Sequence, residues 1–139
     1  MKFKKKIASR VKQFREELDF SQSELANLVG VSRQTIYYLE RGSYNPSLTI
    51  SFKISEILKK PIDEIFYQEP IIKDILEGKS LAELKEVAEM AGVNLEKLAS
   101  LSEIDDEELN SSFNDNVLVK IARGLGMEFE DLFEKEAEN

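Results

Sequence analysis

The chain contains no cysteine, no histidine and no tryptophan, and only six glycines and three prolines in 139 residues. Without cysteine there is no disulfide framework, no thiolate metal ligand and no sulfur nucleophile. Without histidine the commonest general base and the usual imidazole metal ligand are gone as well. No glycine-rich phosphate loop or nucleophile–base pair replaces them, so the sequence does not read as an enzyme and implies no cofactor and no metal. Long apolar runs are also missing: none approaches the roughly 18 residues that span a bilayer. The start MKFKKK leads into a polar helical pattern instead of the apolar core of a signal peptide. A soluble protein of the reducing cytoplasm, without membrane contact, is expected.

Charge is plentiful but unevenly placed. The formal net charge is −8, yet residues 1–69 hold twelve Lys and Arg against nine Asp and Glu, a net +3, while residues 70–139 hold seven against eighteen, a net −11. Lys and Arg that neutralise phosphate supply most non-specific affinity for nucleic acid, so only the first half suits such a partner. The break predicts two small domains, 1–67 and 80–139, joined by a linker over 68–79 that carries a short helix from Ile71 to Glu77, stopped by Gly78.

The apolar spacing is helical, which predicts an all-α fold. Ile7, Val11, Phe14 and Leu18 recur at steps of four, three and four and define a first helix. Ser21 stands three residues before Glu24, the spacing of a capping box, and opens a second helix with Leu25, Ala26, Leu28 and Val29 inward. Gly30 can take the left-handed conformation of a tight turn. Ser32 caps a third helix over Arg33–Arg41, ended by Gly42; Leu48–Lys59 and Pro61–Phe66 read as a fourth and a short fifth.

The second half repeats this pattern. A shift of 73 places Leu84 on Val11, Val87 on Phe14, Ala91 on Leu18, Leu98 and Ala99 on Leu25 and Ala26, Leu101 on Leu28, Ile104 on Val31 and Leu109 on Ile36. After a loop six residues shorter, a shift of 67 places Lys120 and Ile121 on Lys53 and Ile54, Leu125 on Leu58, and Glu130–Phe133 on Asp63–Phe66. Fixed-period similarity of this kind points to a duplicated unit.

Between Ala26 and Ile36 the pattern supplies a small residue where two helices touch, a turn glycine, and apolar Val31, Ile36 and Leu39 to pin the second helix. Ser32, Arg33, Gln34, Thr35 and Tyr38 are left exposed at its start. A helix fits the major groove of B-DNA, where Arg can bond guanine O6 and N7, and Gln adenine N6 and N7. Arg33 and Gln34 are the candidate base readers. Tyr38 can touch a thymine methyl or a sugar, and Tyr37 reads as packing or solvent-facing.

The strings Ser21-Gln22-Ser23-Glu24-Leu25-Ala26, Gly30-Val31-Ser32-Arg33-Gln34-Thr35-Ile36, Leu39-Glu40-Arg41-Gly42, Tyr44-Asn45-Pro46-Ser47-Leu48 and Ile62-Asp63-Glu64-Ile65-Phe66 closely resemble the Xre-type, phage-repressor-like (Cro/C1-type) helix-turn-helix transcriptional regulators. The resemblance covers residues 7–67. It implies a five-helix DNA-binding domain, a phosphate contact at Gln22, backbone contacts at Arg41, Ser43 and Asn45, and a structural ion pair between Arg15 and Glu40. Lys2, Lys4, Lys5 and Lys6 form either a DNA-tracking arm or a solvated, disordered tail.

The second copy carries Asp105, Asp106, Glu107 and Glu108 where the first has Ser32, Arg33, Gln34 and Thr35, and Glu103 where the first has Gly30. Four carboxylates repel a phosphate-lined groove, and a glutamate is costly in a left-handed turn. Residues 80–139 are therefore expected to form a degenerate helix-turn-helix-like domain with a differently shaped turn, serving dimerisation or regulation. The acidic run stabilises a helix start, faces a basic partner protein, or, least favoured, holds a divalent metal. Asn114–Asn116 reads as a turn. The expected protein is a sequence-specific DNA-binding regulator of transcription, a repressor, acting as a homodimer on double-stranded operator DNA. Surplus apolar residues of the fourth helix, with Tyr67, Ile71, Ile72 and Ile75, offer an interface or a packing face between the domains. The alternative is an antitoxin-like interaction module whose acidic C-terminal domain binds a basic partner, with DNA binding only for autoregulation.

Overall fold

The computed structural model describes residues 1–135; residues 136–139, the end of the expected second domain, lie outside the described residues. In chain order the elements are β1 (Lys5–Ser9), α1 (Val11–Glu17), α2 (Gln22–Val29), α3 (Arg33–Glu40), α4 (Leu48–Leu58), α5 (Ile62–Ile65), β2 (Phe66–Pro70), α6 (Ile71–Glu77), α7 (Leu81–Ala91), α8 (Leu95–Ser100), α9 (Asp106–Ser112), α10 (Asp115–Gly124) and α11 (Phe129–Leu132). The chain is mainly helical and divides into two units. One is Lys6–Glu69; the other joins Met1–Lys5 to the chain from Pro70 onward.

Side-chain caps open most of the helices in both units. Ser21, Ser32 and Ser47 each accept a hydrogen bond from the backbone N–H three residues on, at the starts of α2, α3 and α4. Asn94, Asp105 and Asn114 do the same for α8, α9 and α10. Each of these caps satisfies an otherwise orphaned donor. The offsets of the sequence pattern recur in the element bounds: α8 and α9 start 73 residues after α2 and α3, α10 starts 67 after α4, and α11 spans the positions of α5 plus 67.

In the Lys6–Glu69 unit, Val11, Phe14, Leu25, Ala26, Val29, Ile36, Leu39, Ile54, Leu58 and Ile65 form the core. The expected first helix is shorter than its spacing suggests, because Ile7 and Ala8 lie in β1 and α1 begins only at Val11. β1 pairs with β2. Arg10 N–H donates to the Ile65 carbonyl at 2.7 Å, and Ile71 N–H to the Lys4 carbonyl at 2.9 Å, so the strands run in opposite directions. This ribbon adds to the expected all-α architecture. Leu18 and Leu28, expected inward, are 41% and 56% exposed. Leu18 falls on the C-cap of α1, beyond the last turn that faces the core. Leu28 stands on the outer face of α2, between the buried Ala26 and Val29.

The other unit has its own core: Val87, Ala88, Ala91, Leu98, Leu101, Leu109, Phe113, Leu118, Ile121, Ala122, Leu125 and Leu132, closed by Phe3, Ile72, Leu76 and Phe133. The linker helix α6 thus belongs to this unit, since Ile72 and Leu76 are buried in it. Asp115 and Asn116, expected in a turn, open α10 behind the Asn114 cap. Around Glu103 the turn is reshaped. Among the described residues only Asp19 and Lys59 are non-glycines at positive φ, and Glu103 N–H instead donates to the Ser100 carbonyl.

The N-terminal segment is neither a free arm nor an unstructured tail. Phe3 is 1% exposed, stacks on Phe133 with centroids 5.3 Å apart, and pairs with it in an antiparallel bridge. Lys4 N–H donates to the Leu132 carbonyl and Glu134 N–H to the Lys2 carbonyl. In the first copy the strand before α1 pairs with the chain after α5. In the second copy the partner of the chain after α11 comes from the front of the protein, so residues 1–5 fall with the second unit and not with the expected domain 1–67.

Candidate functional site

Helix α3 is built to present one face. Ile36 and Leu39 are 0% and 1% exposed and fasten it to the core. Ser32 caps it by accepting from Thr35 N–H, and the two hydroxyls lie 2.8 Å apart. The turn before it closes through Gly30, at φ 84°, where a side chain would be strained. Ser32, Arg33, Gln34 and Tyr38 are exposed and Thr35 is half-buried. Arg33, Gln34, Tyr37 and Tyr38 together line a shallow hollow.

The polar heads on this face are held in place. Arg33 Nη1 donates to Gln22 Oε1 at 3.3 Å, and Gln22 Nε2 donates to Glu40 Oε1 at 3.0 Å. Glu40 also takes the Arg15 guanidinium in bidentate fashion, Nε to Oε2 at 2.7 Å and Nη2 to Oε1 at 3.1 Å. Nη1 of Arg15 donates to the Phe20 carbonyl. The hydrogen bond to Glu40 raises the Arg15 pKa above the usual arginine value against the opposing pull of burial. A chain of four side chains therefore runs from the buried ion pair to a candidate reader at the surface. Gln34 Nε2 donates to the Tyr38 hydroxyl at 3.2 Å.

Arg41, Ser43 and Asn45 are exposed at and after the end of α3. Tyr37, read from sequence as packing or solvent-facing, is 39% exposed and accepts a hydrogen bond from Arg41. The four-residue spacing of Tyr37 and Arg41 could have announced that pair. Gln22 and Glu40 lie 18 positions apart, and no local pattern could have joined them. Of the proposed interface residues, Ile72 is buried in the second unit's core and Ile75 packs against it. Tyr67 lies under the Arg10 guanidinium. On α4, Leu48 and Phe52 remain 71% and 55% exposed, one turn apart.

In the second copy the matching helix is met by the chain's own front at Asp106 and Asn110. Asp106, at the position of Arg33, accepts from Phe3 N–H at 2.8 Å and from the Lys5 ammonium at 3.2 Å. The amino group of Met1 donates to Asn110 Oδ1. Burial pushes the Asp106 carboxyl up, but the Phe3 hydrogen bond and the Lys5 and Lys2 ammoniums together hold it below the ordinary carboxylate range. Asp105 caps Glu108 N–H and, like Glu107 and Glu108, is exposed. Among the described residues no helix is long and apolar enough to cross a membrane.

The sequence profile of the helix-turn-helix family matches residues 11–65. An uncharacterised HTH-type transcriptional regulator of Archaeoglobus fulgidus is 47% identical over 60 residues, 43% of this chain and 84% of that protein. One of Methanocaldococcus jannaschii is 41% identical over 63 residues, 45% of this chain and 96% of its own length. The regulator YgzD of Bacillus subtilis is 36% identical over 63 residues, with the same shares of 45% and 96%.

Proposed function

Because the chain belongs to the Xre-type helix-turn-helix family of DNA-binding transcriptional regulators, we propose that it reads a specific operator in the major groove with α3, as a homodimer and a repressor. The observation that carries this reading is the one-sided α3: Ile36 and Leu39 are buried while Arg33, Gln34 and Tyr38 face solvent at its outer side. Arg33 and Gln34 have the donors and acceptors for bidentate contacts to guanine and adenine, each worth about 1–3 kcal/mol of discrimination. Ser32, Thr35 and Tyr38 complete the base-facing set. Gln22, Arg41, Ser43 and Asn45 take the phosphates, which fix register without reading sequence.

One module of this size buries little DNA surface, so useful affinity calls for two half-sites about one helical turn apart. The exposed Leu48 and Phe52 support self-association through α4. A dimer seated on its operator represses by occlusion, which needs no further contact surface. The acidic α9, its Asp106 taken by the chain's own front, is assigned no DNA.

Selection of bound duplexes from a random pool tests the reading. Wild-type protein is expected to enrich a two-fold-related site, with Arg33→Ala and Gln34→Ala each relaxing preference at one position per half-site. Uniform weakening across all sequences would demote both side chains to phosphate contacts.

A further inference from the structure

Tyr37 stands four residues before Arg41, a spacing that brings side chains together on a helix. Nη1 of Arg41 donates to the Tyr37 phenol oxygen at 2.6 Å, and the guanidinium carbon lies 5.3 Å from the ring centroid. Tyr37 is in turn met edge-on by Tyr38, with centroids 5.5 Å apart and planes at 64°. All three side chains are exposed. The Tyr37–Arg41 pair therefore adds little to the core.

What the pair offers is directed donors. The phenol oxygen accepts from the guanidinium, so its own O–H is free to donate, and the guanidinium keeps further N–H groups. Both converge, with one full positive charge, beside the end of the helix that carries the candidate readers. A phosphodiester oxygen is the ligand that this set of donors suits. A long arginine with no partner must be ordered by the DNA itself, and that ordering reduces affinity.

We infer that Tyr37 is a positioning residue: it holds Arg41 in one geometry, and the two together grip a single phosphodiester at the edge of the groove that α3 enters. The inference rests on the reading of α3 as the groove helix.

Tyr37→Phe removes the phenol oxygen and keeps the ring. On the full chain its affinity for the selected duplex and for an unrelated duplex is measured across a salt series, beside Arg41→Ala and the double variant, with melting temperatures as a check on folding. Tyr37→Phe is expected to weaken both duplexes alike by about three- to tenfold, the worth of one hydrogen bond, while leaving the salt slope and the selected sequence unchanged. Arg41→Ala is expected to lower the salt slope by about 0.9, and Tyr37→Phe to cost less in that background than in the wild-type chain. Wild-type affinity in Tyr37→Phe overturns the inference, as does a full second loss in the double variant. A lowered melting temperature with unchanged affinity also overturns it, and marks the pair as a brace for the last turn of α3. If the wild-type chain selects a sequence that depends on Arg33 while Tyr37→Phe binds as wild type, only the Tyr37 assignment falls. If the wild-type chain selects nothing, the groove reading falls and takes this inference with it.

Discussion

Arg15 and Glu40 meet across 25 positions of sequence with side chains 10% and 5% exposed, and that burial decides what their loss costs. Two charges withdrawn from water are tolerable only while they satisfy one another; removing one strands the other. Arg15→Ala is therefore expected to lower stability by about 3–5 kcal/mol, read as a shift in the urea midpoint at unchanged slope. Glu40 also holds Gln22, which holds Arg33. The residue identities were legible in the motif, as were their chemical types. Their connection was not, because hydrogen bonds between α1, α2 and α3 depend on how the three helices pack.

At the scale of elements, the two copies differ most on their matching helices. On α3, Arg33 points outward from a glycine-closed turn; on α9, Asp106 receives Phe3 N–H and the Lys5 ammonium. Because the folded Asp106 pKa lies below its unfolded value, the ionised carboxylate adds stability above the ordinary carboxyl range. That stability is lost as pH falls through the lowered folded pKa. Asp106→Asn is expected to be less stable than wild type at neutral pH and to converge with it in acid, followed by thermal melts across the pH series. Equal stability of the two proteins at every pH would show that the contact contributes nothing. The acidic run itself was plain in the sequence, and so was its poor fit to DNA. That Phe3 and Lys5 from the front of the chain meet it at Asp106 was not, since the Phe3–Asp106 bond spans 103 positions.

For the whole molecule, the proposed function requires self-association, and Leu48 with Phe52 is the exposed apolar pair on the first unit's α4. Phe52→Glu is expected to shift the protein from dimer to monomer in sedimentation velocity. It should also abolish the advantage of a two-half-site duplex over a single half-site while leaving the melt of the fold within about 0.5 kcal/mol, as for an exposed position. An unaltered dimer would move the interface elsewhere.

Taken alone, the sequence was enough to determine the features that act over one or two turns of chain. Ser21 and Ser32 marked the starts of α2 and α3, the Asp105–Glu108 spacing marked that of α9, Gly30 shaped the turn, and apolar spacing placed α2 to α5 and their repeats. The same reading exchanged donors for carboxylates between α3 and α9. Only the tertiary structure decided that Ile7 and Ala8 lie in a strand, that Leu28 faces outward, and that Phe3 completes a core built otherwise from residues 72–133. Caps and periodicity are energetics of neighbours, whereas strand pairing and the closing of a core join residues that the chain keeps far apart, where the pattern at either end does not name its partner.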